Sequence, residues 1–320
     1  MTIALSDAQR DRAAGVLLGQ AVGDALGVPY EFAPRIPVGT AEMIGGGLGP
    51  YAPGEWSDDT QMAACIALVT ATGADLTTDE GLDAVAQRFL QWRLSGATDI
   101  GNQTRHVIDA AREGHGLLSR RMIDESLAQA ALDKAGNGAL MRTGVVGLVA
   151  LDDRERTARC ATRVASLTHA HPQCVASSIL WSEAVRVAVI DSVLDIRAGL
   201  DLLPATSRAP WEAWITEAET TEPNAFSPNG WTVAAFQAAW SSIHATRHLD
   251  GSEHVQAALH SAVAIGNDTD TVAAIAGALL GACYGASAIP TAWVDAIHGW
   301  PGLRAADLRR LAQETADPTL

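Results

Sequence analysis

The stretch "GVLLGQAVGDALG", residues 15–27, places a glycine at every fourth position. In a helix, residues at this spacing share one face. A glycine inside a helix costs about 0.5–1 kcal/mol relative to alanine, so its repetition implies that another backbone approaches that face closely. A second stretch, "GALLGACYG" at residues 277–285, repeats the spacing. The sequence therefore predicts two central, tightly packed helices.

The rest of the chain carries helical periodicity, with no alternation of strands and helices. Glycine and proline concentrate in predicted loops at 29–54, 95–100 and 201–230. No repeat or linker divides the chain, which predicts a single all-α domain over residues 1–320. The clearest helical patterns cover residues 7–27, 59–72, 79–94, 101–112, 137–150, 155–166, 172–189, 231–246, 253–264 and 270–287.

Composition excludes several classes of protein. The chain has 320 residues, of which 48% are hydrophobic, so it can bury a large core. Its formal net charge of −15 argues against a nucleic-acid groove built on basic residues. The four cysteines form no CxxC pair, which fits a reducing cytoplasm rather than a disulfide framework or a zinc site.

Two segments bear on membranes and export. Residues 6–9, "SDAQ", are typical of a capping box that opens a helix, and Asp24 would interrupt an apolar signal region. Residues 272–289 carry no charge and are long enough to be considered as a membrane span. They are mostly alanine and glycine and follow two aspartates, so we expect a buried central helix. The sequence thus predicts a cytoplasmic protein without a membrane partner.

Two sets of carboxylates and hydroxyls stand at the starts of apolar helices, in "GEWSDDTQM" (54–62) and "GNDTDTV" (266–272). Ordinary capping, with Ser57 as the N-cap and acids at the positive end of the helix, is one interpretation. The alternative is that the two sets converge, in which case four carboxylates could not all stay ionised without cations. All-oxygen donors favour Mg²⁺, or Mn²⁺, over zinc, and two ions sharing aspartates would be the natural occupancy.

The sequence also resembles the ADP-ribosylglycohydrolases, a family that includes the dinitrogenase-reductase-activating glycohydrolase and the ADP-ribosylarginine and ADP-ribosylserine hydrolases. The resemblance implies a compact orthogonal helical bundle that binds two Mg²⁺ ions. It also implies cleavage of the glycosidic bond at the distal ribose of ADP-ribosyl conjugates. The motifs occur in the family's order: "GVLLGQAVGDALGVPYEF" (15–32), "WSDDTQMA" (56–63), "DIGNQT" (99–104), "GNGALMR" (136–142), "THAHP" (168–172), "NGWTV" (229–233) and "GNDTDTVAAIAGALLGA" (266–282).

The resemblance assigns roles to individual residues near the expected metals. Glu31 matches a glutamate beside the reacting water, although spacing alone would favour a solvated loop acid. Asp99 matches an acid near the scissile bond, with an N-cap of the next helix as the alternative. Asp24 is expected to be a structural acid outside the chemistry. The implied metal ligands are Ser57, Asp58, Asp59, Asp268, Asp270 and Thr271.

The same resemblance implies contacts with ADP-ribose. A helix beginning at the Gly-Asn-Gly turn would offer backbone N–H groups to an anion, although Gly144 stands where the family commonly has proline. Trp231 would stack on adenine, the alternative being a buried aromatic at a helix start. His171 is expected to be structural. The implied contact residues are Asn102, Gly136, Asn137, Gly138, Met141, His169 and Trp231.

The predicted function is a Mg²⁺-dependent hydrolase that releases ADP-ribose from an acceptor, with arginine or another protein side chain favoured. ADP-ribosylated nucleic acid or a metabolite such as O-acetyl-ADP-ribose stays open as the substrate. The alternative outside the enzymes is a non-catalytic protein that binds ADP-ribose. Residues 268–272 also match the DxDx[TV] motif of haloacid-dehalogenase-type phosphatases, which would have to follow a β-strand.

Overall fold

The structure is a computed structural model, which describes residues 4–317. The thirteen α-helices of these residues are α1 (Asp7–Gly27), α2 (Asp58–Thr70), α3 (Asp79–Leu94), α4 (Asn102–Ala111), α5 (Leu118–Ala130), α6 (Arg154–Ser166), α7 (Pro172–Asp191), α8 (Ala205–Thr220), α9 (Thr232–Ala245), α10 (Gly251–Ala264), α11 (Thr269–Tyr284), α12 (Thr291–Ala296) and α13 (Ala305–Ala316). Short 3₁₀ helices occupy Val28–Tyr30, Leu140–Arg142, Gly144–Leu148, Leu200–Leu202, Pro223–Ala225 and Ala286–Ala288. The strands β1 (His298–Gly299) and β2 (Leu303–Arg304) pair antiparallel, with His298 opposite Arg304. The predicted all-α fold is confirmed.

The two helices with glycine stripes are central and tightly packed, as predicted, and the structure places the two stripes against each other. Helices α1 and α11 run antiparallel, so that Gly19 lies against Gly277 and Gly15 against Gly281. A Cβ atom added to Gly19 would lie 2.1 Å from the carbonyl oxygen of Gly277, and one added to Gly281 would lie 1.9 Å from that of Gly15. Only glycine permits this approach. The pairing brings the start of α11 to the end of α1, where the carboxylates lie.

The α1–α11 pair forms the centre of the core. Helices α7, α9 and α10 pack against α11, while α2 and α13 pack against α1. All residues of α11 except Tyr284 are buried, which confirms the expectation of a buried central helix. Helix α7 is long and apolar enough to cross a membrane, and 72% of its apolar window is buried inside the protein.

The helix predicted over 137–150 is wrong. The chain there forms two 3₁₀ helices, Leu140–Arg142 and Gly144–Leu148. A Cβ added to Gly144 would lie 2.8 Å from the Cβ of Ala278, and one added to Gly147 would lie 2.6 Å from the carbonyl oxygen of Ser182. The segment is therefore pressed between α11 and α7, and this packing outweighs the local helical pattern.

The loop predicted over 201–230 is also partly wrong, because it contains α8. Trp211, Ile215 and Ala218 of this helix are buried at helical spacing. Pro210 lies inside the helix, and the face opposite the three buried residues is exposed. Few apolar residues therefore mark this helix in the sequence. Helices α5, α12 and α13 likewise lie outside the patterns predicted from sequence.

Candidate active site

The N-termini of α2 and α11 meet, which brings the two carboxylate sets together. The Ser57 hydroxyl lies 3.1 Å from Oδ2 of Asp59 and 3.3 Å from Oδ2 of Asp270. Asp58 and Asp59 occupy the first turn of α2, while Asp268 is the N-cap of α11 and Asp270 lies in its first turn. The two carboxylate sets therefore converge, which their spacing in the sequence did not decide.

Asp24 of α1 caps α2 from the neighbouring helix. Its Oδ1 accepts hydrogen bonds from the backbone N–H and the hydroxyl of Ser57, both at 2.8 Å, and its Oδ2 accepts from the backbone N–H of Thr60 at 2.9 Å. Ser57 stands at the N-cap position but makes no capping bond with its side chain. The interpretation of Ser57 as an ordinary capping residue is therefore wrong, and its hydroxyl is directed into the carboxylate cluster instead.

Glu31 and Asp99 approach the cluster from the loops. One carboxylate oxygen from each of Glu31, Asp99 and Asp270 lies within 4.8 Å of the others. Phe32, in the left-handed region at φ 49°, donates its backbone N–H to the carbonyl of Asn267 at 2.7 Å, which ties the Glu31 loop to the approach to α11. Asp99 caps no helix, since the N-cap of α4 is Gly101.

The carboxylates of the cluster oppose one another's ionisation. Within residues 4–317, no arginine or lysine forms an ion pair with these carboxylates. Burial, reinforced by Asp270 and Asp99, raises the pKa of Glu31 to about 11. Burial raises the pKa of Asp24 to about 6, and burial with neighbouring carboxylates raises the pKa values of Asp58, Asp59 and Asp270 well above the usual range.

This donor set fits a hard divalent cation. Oδ1 of Asp59 and Oδ2 of Asp99 are buried and have no hydrogen-bond partner among the described residues. Oxygens of Asp24, Asp59 and Asp270 also lie within 4.8 Å of one another. These carboxylates could hold a metal ion. A cation would neutralise their negative charge, and the oxygens without a hydrogen-bond partner would bind it.

A cavity of about 540 Å³ opens beside the cluster. Asp58, Asp268, Asp270 and Thr271 form one end of its wall, whereas Ser57 and Asp59 are buried behind that wall. The other predicted residues in the wall are Glu31, Asp99, Asn102, Gly136, Asn137, Gly138, Met141 and His169. The structure therefore brings together residues from six separate motifs.

The Gly-Asn-Gly turn is held by hydrogen bonds of Asn137 rather than by a helix. Asn137 donates its amide to Oδ2 of Asp268 at 2.7 Å, and its backbone N–H to the carbonyl of Gly230 at 3.1 Å. The predicted helix N-terminus at this turn is wrong, because only a three-residue 3₁₀ helix follows it. The turn instead connects the carboxylate end of the cavity with the loop before α9.

Trp231 lies away from the carboxylates. It lines an adjoining cavity of about 430 Å³ that shares Gly136 and Gly230 with the larger one. The residue is 42% exposed, and its ring stands edge-on to that of Trp214 with centroids 5.8 Å apart. The alternative of a buried aromatic at a helix start is wrong. His171, the N-cap of α7, accepts a hydrogen bond from the backbone of Gln173, in keeping with its expected structural role.

Two residues that position the site were not singled out for it from sequence. Asp24 was expected to be structural, and its hydrogen bonds fix the start of α2 and the Ser57 hydroxyl. Gln20, buried in α1, donates its amide to the carbonyls of Asp59 and Met141, each at 3.1 Å, and so joins two walls of the site. The available signal was two polar side chains inside the otherwise apolar stretch 13–27 of this helix, since polar residues are seldom fully buried.

The chain matches known proteins along nearly its whole length. Residues 5–319 match the model of the ADP-ribosylglycohydrolase family. An ADP-ribosylarginine hydrolase Tri1 of Pseudomonas putida (strain GB-1) is 30% identical over 321 residues, covering 96% of this chain and 78% of that protein. An ADP-ribosyl-[dinitrogen reductase] glycohydrolase of Rhodospirillum rubrum is 28% identical, covering 89% of this chain and 90% of that protein.

A solved structure, an ADP-ribosylglycohydrolase-related protein complex, matches with a TM-score of 0.73 and 26% identity. The match covers 98% of this chain and 100% of that chain. In the present structure the DxDx[TV] segment begins helix α11 rather than following a strand. The phosphatase alternative is therefore wrong.

Proposed function

Since the chain belongs to the ADP-ribosylglycohydrolase family and is a hydrolase of glycosidic bonds to ADP-ribose, we propose that it removes ADP-ribose from arginine side chains of proteins in a Mg²⁺-dependent reaction. The observation that carries the proposal is the carboxylate cluster beside a cavity of about 540 Å³, in which Asp59 and Asp99 each have a buried oxygen without a hydrogen-bond partner among the described residues. Relatives named as ADP-ribosylarginine hydrolases support the choice of arginine.

We assign the metal site to Ser57, Asp58, Asp59, Asp268, Asp270 and Thr271. These residues supply oxygen ligands from two helix starts that the α1–α11 packing holds in place. Two Mg²⁺ ions bound there would neutralise the carboxylates, polarise the distal ribose hydroxyls and acidify a water molecule. Asp24 keeps the Ser57 hydroxyl and the start of α2 fixed from behind.

The bond-breaking step uses Glu31 and Asp99. As the bond from the anomeric carbon to the guanidine nitrogen breaks, the carbon develops oxocarbenium character, which nearby carboxylates stabilise. Glu31 would be ionised once the negative charge of the cluster is neutralised, and it then accepts a proton from the attacking water, whose oxygen bonds to the anomeric carbon. The leaving nitrogen takes up a proton from Glu31 or Asp99, so the products are ADP-ribose and an unmodified arginine side chain. Asp99, which has a carboxylate oxygen within 4.8 Å of one of Glu31, takes part in this proton transfer.

The rest of the cavity binds ADP-ribose. Asn102, Gly136, Asn137, Gly138, Met141 and His169 line the wall beyond the carboxylates. Trp231 in the adjoining cavity offers an exposed ring on which adenine can stack. Beside the carboxylate cluster, Glu31 and Asp99 would favour a cationic leaving group such as guanidinium over a phosphate or an acetyl group.

The acceptor is tested by measuring free ADP-ribose released from four substrates: ADP-ribosylarginine, ADP-ribosylserine, ADP-ribosylated DNA ends and O-acetyl-ADP-ribose. Each is incubated with Mg²⁺ or with EDTA. Fastest Mg²⁺-dependent release from ADP-ribosylarginine supports the proposal. Faster release from another substrate would replace arginine as the acceptor, and ADP-ribose binding without release from any substrate would favour the non-catalytic binding protein.

A further inference from the structure

Arg142 is a buried cation that the proposed reaction does not use. Its side chain is fully buried, and its guanidinium stacks 4.7 Å from the centre of the Phe89 ring. It donates hydrogen bonds to the carbonyl of Gly138 at 2.9 Å and to Oγ1 of Thr168 at 2.7 Å. Burial lowers its pKa to about 9, so it stays charged at neutral pH. Burying a charge costs solvation free energy, which the hydrogen bonds of the guanidinium must offset.

The bond to Thr168 fixes the direction of the next hydrogen bond. A guanidinium only donates, so Oγ1 of Thr168 must accept from Arg142. The Thr168 hydroxyl proton is fully buried and requires an acceptor of its own. Among the described residues, the side-chain acceptor within hydrogen-bond distance of the Thr168 hydroxyl is Nδ1 of His169, 2.7 Å away. Nδ1 therefore accepts, and a neutral imidazole with an accepting Nδ1 carries its proton on Nε2.

Nε2 of His169 faces the cavity. A Cβ added to Gly136 would lie 3.5 Å from this nitrogen, and one added to Gly138 would lie 3.2 Å from it. Within residues 4–317 no hydrogen bond uses Nε2, while His169 lines the cavity wall. Burial lowers the pKa of His169 to about 3, and the Arg142 charge adds to this effect, so the imidazole stays neutral. A single N–H donor is thus left for a ligand.

We propose that Arg142, acting through the Thr168 hydroxyl, is a positioning residue that holds His169 in its Nε2–H tautomer and aims that N–H at an acceptor oxygen of ADP-ribose. The identity of the ligand rests on the proposed function, whereas the tautomer rests on the contacts alone. The glycines at 136 and 138 leave room for the imidazole beside the turn, so the same donor also fixes where a ligand oxygen can lie.

The tautomer is read directly by long-range ¹H–¹⁵N correlation spectra of protein labelled with ¹⁵N-histidine. His169→Gln assigns the signals. The wild-type protein without ligand should show a neutral His169 protonated on Nε2 between pH 6 and 8. Thr168→Val removes the hydroxyl at nearly constant volume and should shift His169 towards the Nδ1–H form or a mixture. Thr168→Ser keeps the hydroxyl and should restore the wild-type signal.

Ligand binding gives the second measurement. ADP-ribose should shift the His169 Nε2–H resonance, and Thr168→Val should weaken ADP-ribose binding by about three- to ten-fold, the loss of one ordinary hydrogen bond. Thr168→Ser should bind nearly as the wild type does. A wild-type His169 protonated on Nδ1, or ADP-ribose binding that leaves Nε2–H unshifted, would overturn the inference. Absence of ADP-ribose binding would instead count against the proposed function, with the tautomer still judged from the unliganded spectrum.

Discussion

Gly19→Ala tests the close approach of α1 and α11, which places the start of α11 against α2. In an exposed helix this change would stabilise the protein by about 0.5–1 kcal/mol. Here the new Cβ would lie 2.1 Å from the carbonyl oxygen of Gly277 and 2.9 Å from its carbonyl carbon. Because these are backbone atoms, they cannot rotate away, so we expect the upper end of the overpacking range, about 3 kcal/mol. The net loss is then about 2 kcal/mol.

Thermal denaturation measures this loss. Unfolding entropy of about 2.1 cal/mol/K per residue gives about 0.7 kcal/mol/K for 320 residues, so a loss of 2 kcal/mol lowers Tm by about 3 °C. Gly230→Ala is the matched control, because a Cβ there meets nothing within 4 Å. Its Tm should stay within about 1 °C of the wild type. A Gly19→Ala protein as stable as the wild type, or more stable, would refute the packing argument.

Three further predictions concern the site. Glu31→Gln should lower kcat about 10²- to 10⁴-fold while calorimetry still detects Mg²⁺ binding; unchanged kcat would make Glu31 a spectator. Trp231→Ala should weaken ADP-ribose binding about ten-fold, and Trp231→Phe much less; equal affinities would exclude stacking. The raised carboxylate pKa values, including about 6 for Asp24, mean that the folded protein in EDTA binds more protons than the unfolded chain, so its stability should fall as pH rises from 5 to 8. Mg²⁺ should restore Tm at pH 8. An EDTA-treated protein with a higher Tm at pH 8 than at pH 5 would contradict the predicted direction of the pH dependence.

Features with strong local signals were predictable from the sequence. The boundaries of α1 and α3 follow from capping residues and apolar periodicity, and the structure reproduces both as predicted. The glycine stripes predicted a close helix contact, because a glycine inside a helix lowers its stability and close packing can offset that loss. The two carboxylate sets were visible because hydroxyls and acids stand together before apolar helices.

Features decided by distant contacts were not predictable. Whether Ser57 caps its own helix depends on Asp24, which lies 33 positions earlier and takes over the capping bonds. The 137–150 segment has a helical pattern, but Gly144 and Gly147 lie against other helices that force 3₁₀ geometry. The orientation of His169 likewise depends on a cation, Arg142, whose burial no short motif reveals.

The central claim is that the converged carboxylates form the metal-dependent hydrolytic site. The most direct test measures ADP-ribose released from ADP-ribosylarginine by the wild type, Asp59→Ala and Asp270→Ala, with Mg²⁺ and with EDTA. Asp152→Ala, at an exposed aspartate outside the site, is the control. The account predicts Mg²⁺-dependent release by the wild type and the control, and none by the two site variants. Release that survives EDTA, or that either site variant retains at the wild-type rate, would contradict it.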